Sequence, residues 1–254
     1  MSSTKTNRTS WPVFVVSLID AVERRTAIQT QCARFGIDPI IIDAVDGRKG
    51  LLNEFEPLVD RKAVLKRVGR EASDGELACA ISHQLIYRRI VEQGLPGAII
   101  LEDDAILTPM FLEFVSSMGY LEADLVQMDH WGARVYYRRR RRWSDQIMLI
   151  PLGENACLTT GYSVSQKGAR YILGRTVPLG GLADWPCDLM SLAPLATLPR
   201  IVAHPSITTT NSTLEIDRQV LGGQSERCPN RKRRFLRASY WRRWWLKRRT
   251  RRVS

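Results

Sequence analysis

The sequence has no apolar run long enough to cross a membrane. Its longest apolar stretches, VFVVSLI and AIIL, have the length of a β-strand, whereas a transmembrane helix needs about 20 apolar residues. The opening residues, MSSTKTNRTSWP, lack an apolar signal region, so export is not indicated and a cytoplasmic location is expected. The five cysteines are widely spaced and include no CxxC pair, which favours reduced, mostly structural thiols.

Acidic residues are missing from the end of the chain. The last 28 residues hold 13 of the 38 Lys and Arg residues and no Asp or Glu, so the preceding 226 residues carry 25 basic against 26 acidic side chains. The net charge of +12 therefore describes a basic tail on a nearly neutral body, and it gives little reason to expect nucleic-acid binding by the body. With 254 residues, 44% of them hydrophobic, the body can bury the core of one large α/β domain.

Residues 13–42 are typical of a strand, a helix and a second strand joined by short connections. This order indicates the start of an α/β nucleotide-binding layer. Ligands of such sheets bind beyond the carboxyl ends of the strands, which places Ser17, Asp43 and Asp46 at the expected binding edge. Asp46 precedes Gly47, and Asp-Gly is also ordinary turn chemistry.

A second helix is predicted to begin after Ser73. Ser73 and Glu76 have the spacing of a capping box, and the apolar positions that follow repeat with helical periodicity until Gly94. His83 lies within this helix. A single helical histidine is more often a structural residue than a ligand, so both interpretations stay open from the residues alone.

The stretch AIILEDDAIL ends an apolar run with three consecutive carboxylates, Glu102, Asp103 and Asp104. Side chains alternate across a strand, so Glu102 and Asp104 are expected on one side and Asp103 on the other. Carboxylates this close repel unless water or a cation separates them, and oxygen ligands suit Mg²⁺ or Mn²⁺ together with substrate phosphates. The alternative is an acidic turn in which Asp104 or Thr108 caps the next helix.

Two more carboxylates, Asp184 and Asp188, lie in the Pro- and Gly-containing stretch VPLGGLADWPCDLM. Loops held by a rigid layer often carry reactive groups. A carboxylate here is either a general base or a cap for the helix that follows.

The tail interleaves cations with aromatic residues in RKRRFLRASYWRRWWLKRRTRRVS. On a helix, Trp241, Trp244 and Trp245 take neighbouring positions flanked by arginines, as in helices that lie in a membrane interface. A disordered basic tail and nucleic-acid binding are the alternatives, and the aromatic clustering favours the membrane. We therefore expect a flexible N-terminus at 1–11, a main domain at 12–212 and a basic aromatic tail helix at 213–254.

Several stretches, in order, resemble glycosyltransferase family 25, which includes lipopolysaccharide and lipooligosaccharide galactosyltransferases and collagen galactosyltransferases. They are VFVVSLIDAVERR, DAVDG, GELACAISHQLIYRRIV, AIILEDDAIL, TTGYSVSQKGARYIL and LADW. The resemblance spans most of residues 13–185 and leaves out the tail. Ser17 stands where family members often have Asn. The resemblance implies a GT-A type, Rossmann-like fold in which helices flank a mixed sheet, a UDP-sugar donor, most often UDP-galactose, and inversion at the anomeric carbon.

The resemblance also implies roles for the candidate residues. The acidic triplet, defined as Glu102, Asp103 and Asp104, resembles a DxD-like motif that holds Mn²⁺ or Mg²⁺ on the donor diphosphate. Asp184 matches a family position and is the first choice as the base, with Asp188 second, and His83 becomes a donor-pocket residue.

The expected acceptor is a sugar of a lipid-linked oligosaccharide, reached from the inner face of an anionic membrane, with nucleic acid an unlikely partner. The alternative is a catalytically inert transferase-like domain that binds membrane or nucleic acid through its basic tail.

Overall fold

The computed structural model describes residues 11–205 and 238–253. The predicted flexible N-terminus lies outside these residues except for Trp11, and so does residue range 206–237, which contains the predicted boundary at 212. The helices are α1 (Val22–Arg34), α2 (Arg61–Val68), α3 (Asp74–Glu92), α4 (Pro109–Ser116), α5 (Gln166–Thr176) and α6 (Ala238–Arg249). The strands are β1 (Val13–Ser17), β2 (Ile40–Asp43), β3 (Gly97–Glu102), β4 (Ile106–Leu107), β5 (Leu125–Gln127), β6 (Ala133–Val135), β7 (Arg141–Arg142), β8 (Met148–Pro151), β9 (Gly161–Ser165), β10 (Leu195–Leu198), β11 (Val202–Ala203) and β12 (Arg251–Val253).

Eight strands form one mixed sheet in the order β2-β1-β3-β9-β5-β10-β8-β7. The pairs β1–β2, β1–β3 and β5–β10 are parallel, whereas β9 runs antiparallel to both β3 and β5. The strands β1, β2 and β3 therefore end at the same edge of the sheet. The predicted α/β class with a mixed sheet flanked by helices is confirmed.

Alternate residues of the central strands face two separate hydrophobic cores. In β1, Val13 and Val15 pack with residues of α1 and α4, whereas Phe14 and Val16 pack with residues of α3 and α5. The same alternation holds along β3. A strand that is buried on both faces has an unbroken run of apolar residues. This explains why VFVV in β1 and AIIL in β3 contain no polar residue.

The local signals for the first and third helices are borne out by the structure. The helix predicted between the two strands of residues 13–42 is α1. At the start of α3, the Ser73 hydroxyl accepts a hydrogen bond from the Glu76 N–H and the Glu76 carboxylate accepts one from the Ser73 N–H, which completes the capping box. The stretch 51–70, which has weak periodicity, contains the additional helix α2.

The first two residues of the acidic triplet follow the predicted alternation, since Glu102 lies beside His83 of α3 whereas Asp103 contacts Ser17 and Arg24 on the α1 side. Strand β3 ends at Glu102, and the chain turns at once, with the Ala105 N–H donating to the Glu102 carbonyl. Asp103 and Asp104 lie in this turn, so all three carboxylates line one cleft. Thr108 occupies the N-cap position of α4 but its hydroxyl donates to the Ile201 carbonyl instead of accepting a helix N–H, so neither predicted cap forms.

The end of the basic tail is attached to the main body. Strand β12 pairs antiparallel with β6, from Arg251 opposite Val135 to Val253 opposite Ala133. The last turn of α6 also lies against the body, because a Cβ atom at Gly153 would be 3.0 Å from the Leu246 side chain. Within the described residues, no helix has the combination of length and apolar character that spanning a membrane requires.

Candidate functional site

A cleft of about 360 Å³ lies at the edge of the sheet where β1 and β3 end. Its walls are residues 16–18 at the end of β1, residues 44–48 after β2, the acidic triplet, and one side of α3 that includes His83. The strand register explains this convergence, because Ser17 pairs with Asp43 in β2 and Val16 pairs with Glu102 in β3. Parallel strands that end together form the usual ligand crevice of an α/β sheet.

Gly47 brings the segment after β2 against the start of α3. A Cβ atom at this position would be 2.3 Å from the Asp74 carbonyl oxygen, a distance that no side chain tolerates. The Asp-Gly pair is therefore required by close backbone packing as well as by turn formation.

Asp103 is held in place by two neighbours. The Ser17 hydroxyl donates to its Oδ2 atom over 2.6 Å, and Arg24 lies 3.3 Å from its Oδ1 atom. Burial raises the pKa of the Asp103 carboxyl, although the Ser17 hydrogen bond and the Arg24 charge oppose this shift. Ser17 therefore positions a carboxylate at the edge of the cleft.

Asp104 is the most perturbed carboxyl of the triplet. Burial raises its pKa from 3.8 to about 7, and the charges of Glu102 and Asp103 act in the same direction. Its Oδ1 atom is buried and has no hydrogen-bond partner among the described residues. A divalent cation would supply the missing partner and favour the ionised form, so these carboxylates fit the predicted Mg²⁺ or Mn²⁺ site.

Glu102 connects the triplet to β9 and α3. The Thr159 hydroxyl donates to the Glu102 Oε1 atom over 2.6 Å, and the Nε2 atom of His83 lies 3.4 Å from the same oxygen. The three carboxylates of the triplet do not converge as a close group of three ligands. A cation here would take one or two of them, as Mg²⁺ does when substrate phosphates complete its shell.

His83 belongs to a buried chain of hydrogen bonds. Its side chain is 2% exposed, its Nδ1 atom shares a 2.8 Å hydrogen bond with the Tyr162 hydroxyl, and that hydroxyl lies 2.7 Å from the Tyr87 hydroxyl. Trp185 packs edge-on against the Tyr162 ring, with 5.0 Å between centroids. His83 is thus fixed from behind while its Nε2 atom faces the cleft wall.

Asp43 and Asp46, both placed at the binding edge by the sequence, differ in their surroundings. Asp43 is exposed, forms a 2.6 Å ion pair with Arg25, and is not among the residues that line the cleft. Asp46 lines the cleft. Hydrogen bonds from Arg48 lower the pKa of Asp46 to about 2. Asp46 is therefore ionised, and the positive charge of Arg48 largely neutralises it.

Asp184 and Asp188 lie outside the cleft lining and have different neighbours. The Asp184 Oδ1 atom accepts a hydrogen bond from the Leu158 N–H over 3.1 Å. Leu158 directly precedes Thr159, whose hydroxyl donates to Glu102, so one segment holds the carboxylates of Asp184 and Glu102. The Asp188 Oδ1 atom accepts from the Met190 N–H, two residues on, over 3.0 Å, which is an Asx-turn, and the short 3₁₀ turn that follows has Leu189 at its N-cap position and no side-chain cap.

The backbone next to Asp184 is strained. Trp185 has φ = +66°, in the left-handed region that non-glycine residues rarely adopt. Its ring is buried and its indole N–H donates to the Ala156 carbonyl over 2.8 Å. Such conformations cost about 1–3 kcal/mol and concentrate at functional sites, so the packing of Trp185 holds the exposed Asp184 in a defined position.

A second group of charged side chains lies beyond β5. Asp129 is fully buried between His204, 2.7 Å away, and Arg200, 3.2 Å away. Its ion pairs join the end of β5 to the segment around β11, which packs beside β4.

Sequence reasoning missed several residues that shape the cleft. Arg24 and Cys79 line the cleft, whereas Thr159 and Tyr162 hold Glu102 and His83 from behind. The spacing of Cys79 and His83, four residues apart on one helix, was a readable signal. Thr159 and Tyr162 carried none, because they meet Glu102 and His83 only through the pairing of β9 with β3.

Comparison with known proteins identifies the family. The sequence model of glycosyltransferase family 25, described as LPS biosynthesis protein, matches residues 11–190. The lacto-N-neotetraose biosynthesis glycosyltransferase LgtE of Neisseria gonorrhoeae is 28% identical over 169 residues, which cover 63% of this chain and 59% of that protein. The lipooligosaccharide biosynthesis protein lic2B of Haemophilus influenzae is 25% identical over 168 residues, 63% of this chain and 61% of that protein.

Two further matches are to a vertebrate protein and to a solved structure. The procollagen galactosyltransferase 1-B of Xenopus laevis is 26% identical over 180 residues, 66% of this chain and 28% of that protein. Among solved structures, A197 from STIV aligns with a TM-score of 0.38 and 14% identity over 74% of this chain and 81% of that one, and no conclusion rests on it.

The chain spans about 60% of the length of the bacterial relatives it matches. The family match covers well over half of the chain and includes every residue of the cleft, which confirms the resemblance seen in the sequence. The chain belongs to glycosyltransferase family 25.

Proposed function

We propose that the chain is a metal-dependent, inverting glycosyltransferase with a GT-A type site, which moves a hexose from a UDP-sugar to a sugar hydroxyl of a lipid-linked glycan. The observation that carries this proposal is the convergence of Ser17, His83 and the acidic triplet on one cleft at the ends of β1 and β3. Galactose is the first donor sugar to test, because one relative is named a galactosyltransferase.

The acidic triplet is the proposed cation site. Asp104, with a buried and unpartnered Oδ1 atom, and Glu102 would hold Mn²⁺ or Mg²⁺, which stabilises the charge of a departing diphosphate when it is bound. Ser17 and Arg24 keep Asp103 in place. Arg24 also lines the cleft and offers a positive charge near the donor phosphates.

Asp184 is the proposed general base. It is exposed, as a group that meets an acceptor must be, and its carboxylate is oriented by the Leu158 N–H. In an inverting displacement, the acceptor oxygen bonds to the anomeric carbon while the bond to the diphosphate breaks, and the hydroxyl proton passes to the base. Asp188, engaged at the start of the next turn, is the second choice.

The donor site can be tested by UDP release from a panel of UDP-sugars, with and without Mn²⁺, after chelation of bound metal. Asp104→Asn is expected to abolish Mn²⁺-dependent donor binding, whereas Asp184→Asn keeps donor binding and loses turnover. Asp145→Asn is the matched control, since Asp145 is 94% exposed and pairs only with neighbouring Arg142 among the ion pairs seen.

Two outcomes contradict this proposal. Release of UDP from no donor, together with no Mn²⁺-linked donor binding, overturns the transferase function and leaves the inert transferase-like domain in its place. The reverse pattern in the two variants, with binding lost at Asp184 and only turnover lost at Asp104, overturns the roles assigned to them.

The tail supports a peripheral position on the inner face of an anionic membrane, where a lipid-linked acceptor would be reached. Trp241 and Trp245, four residues apart on α6, are about half exposed. Arg248 stacks on the Trp244 ring at 3.8 Å, which keeps cations beside the aromatic side chains. Aromatic rings at headgroup depth with adjacent arginines are typical of interfacial helices.

Vesicle cosedimentation tests the membrane proposal without removing β12. The double variant Trp241→Ser, Trp245→Ser should bind anionic vesicles more weakly than the unmodified chain. Trp131→Ser is the control, because Trp131 is also exposed, at 63%, but lies on the main body. Equal binding by all three proteins, or loss of binding in the control alone, would remove the membrane role of α6.

A further inference from the structure

Cys79, His83 and Glu102 bring three different metal-ligand chemistries to one wall of the cleft. Their potential ligand atoms, a thiol sulfur, an imidazole nitrogen and a carboxylate oxygen, all lie within 4.8 Å of one another. Cys79 and His83 project from the same face of α3 because they are four residues apart, and Glu102 ends β3 opposite them. All three residues line the cleft, so an ion from solvent can reach them.

The spacing of two of these atoms already matches a bound zinc ion. The His83 Nε2 atom lies 3.4 Å from the Glu102 Oε1 atom. Two ligands bound to Zn²⁺ at about 2.0–2.1 Å with a tetrahedral angle are roughly 3.3–3.4 Å apart. The Nε2 atom is buried and has no hydrogen-bond partner among the described residues, and metal ligation would satisfy it.

The groups behind these ligands have the arrangement that orients zinc ligands. The Tyr162 hydroxyl engages the other ring nitrogen of His83, and Tyr87 in turn engages Tyr162. When the Nδ1 proton is donated to Tyr162, the Nε2 lone pair faces Glu102. The Thr159 hydroxyl fixes the Glu102 carboxylate. Partners of this kind set the tautomer and direction of metal ligands.

We propose that Cys79, His83 and Glu102 form a Zn²⁺ site in the wall of the cleft. Bound Zn²⁺ then blocks the binding of Mn²⁺ or Mg²⁺ to the acidic triplet, because it takes Glu102 as its own ligand. Binding releases the thiol proton to solvent and leaves the fourth position of the ion open to water from the cleft. Sulfur and nitrogen ligands favour Zn²⁺ over Mg²⁺ and Mn²⁺, which prefer oxygen. The blocking effect rests on the proposed function, but the Zn²⁺ site itself does not.

Cobalt absorption tests the site on the full chain without any sugar donor. Co²⁺ bound by a thiolate gives a charge-transfer band, so the chelator-treated protein should develop this band with one equivalent of Co²⁺ and lose it on addition of Zn²⁺. Cys79→Ser should abolish the band. Cys157→Ser, which alters an exposed cysteine outside the group, should leave it unchanged.

A second variant probes the support of His83. Tyr162→Phe removes only the hydroxyl that orients His83, and loss of such a partner lowers metal affinity by about 10–100-fold. This variant should keep the band but need correspondingly more Co²⁺. Absence of the band in the unmodified chain, its persistence in Cys79→Ser, or an unchanged affinity in Tyr162→Phe would overturn the proposed ligands.

The blocking effect is measured separately through UDP release in the presence of Mn²⁺. Added Zn²⁺ should inhibit the unmodified chain, and Cys79→Ser should need at least about tenfold more Zn²⁺ for the same fractional loss of its own zinc-free rate. Equal sensitivity of the two proteins would overturn the blocking role. If no donor releases UDP, the proposed function fails, while the cobalt band still decides whether the metal site exists.

Discussion

Replacing Asp104 by Asn is expected to stabilise the metal-free protein at neutral pH. The Asp104 carboxyl is buried beside Glu102 and Asp103, and its Oδ1 atom has no hydrogen-bond partner among the described residues. Ionising it in this position is costly because both desolvation and the neighbouring negative charges oppose the charged form. An amide of nearly the same shape carries no charge and avoids that cost.

The sign and size of the effect follow from the pKa. The folded protein holds the Asp104 proton up to about pH 7, whereas an unperturbed aspartate loses it near 3.8. Between these values the folded state binds more protons than the unfolded state, so stability falls as pH rises from about 4 to about 7. Raising the pKa of Asp104 from 3.8 to about 7 corresponds to about 4 kcal/mol, and water entering the cleft reduces this upper figure.

Thermal unfolding in EDTA at pH 5 and pH 8 measures this effect. Even 1 kcal/mol moves Tm by about 2–4 °C in a protein of this size, so the gap between Asp104→Asn and the unmodified protein should widen from pH 5 to pH 8 in favour of the variant. Mn²⁺ should then raise the Tm of the unmodified protein alone. A variant that is less stable at pH 8, or a gap that does not change with pH, would refute the reasoning.

Three further substitutions test other parts of the fold. Gly47→Ala should lower the free energy of unfolding by about 1–3 kcal/mol, because its Cβ would press on the backbone at the start of α3. Gly174→Ala, which has open space around it, should not lower the free energy of unfolding. Equal losses of both variants in urea unfolding would contradict this reasoning. Thr159→Val should weaken Mn²⁺ binding by about tenfold through loss of its hydrogen bond to the carboxylate that ends β3, and unchanged Mn²⁺ titrations would exclude that role. Asp129→Ala should cost about 1.5–3 kcal/mol, because it removes the fully buried partner of the partly exposed Arg200 and His204. Asp145→Ala on the surface should cost less than about 0.5 kcal/mol, and comparable Tm losses in both would refute the contrast.

The parts of the fold set by local sequence were predictable. The buried strands β1 and β3 have uninterrupted apolar runs, and the capping box of Ser73 and Glu76 fixed the start of α3. The order of strand, helix and strand in residues 13–42 placed Ser17 at the binding edge, and Ser17 lines the cleft. These inferences depend on short-range periodicity, which a single sequence contains.

The remaining site geometry depends on contacts that are distant in sequence. Strand β9 inserts antiparallel between β3 and β5, and only this pairing brings Thr159 to Glu102 and Tyr162 to His83. Periodicity also gives no signal for the turn that follows Glu102, and this turn sets the position of Asp104. A register that changes by one residue reverses every side chain, so such details cannot be obtained from periodicity alone.

The segment at residues 155–160 explains how the proposed cation site and the proposed base can be held in one geometry. The side-chain amide of Gln127, which is fully buried, donates towards the carbonyls of residues 156–158. From this fixed segment, the Leu158 N–H holds Asp184 and the Thr159 hydroxyl holds Glu102.

Asn155, at the start of the same segment, is hydrogen-bonded to the loop that follows Asp184. Its side-chain N–H donates to the Cys187 carbonyl, and its side-chain oxygen accepts from the Leu189 N–H. The loop therefore cannot move away without breaking contacts that also position the cleft wall. Catalytic groups must be held within a fraction of an ångström of their working geometry. A buried amide that orders three successive carbonyls is a physical means of linking two carboxylates that are 82 residues apart in the sequence.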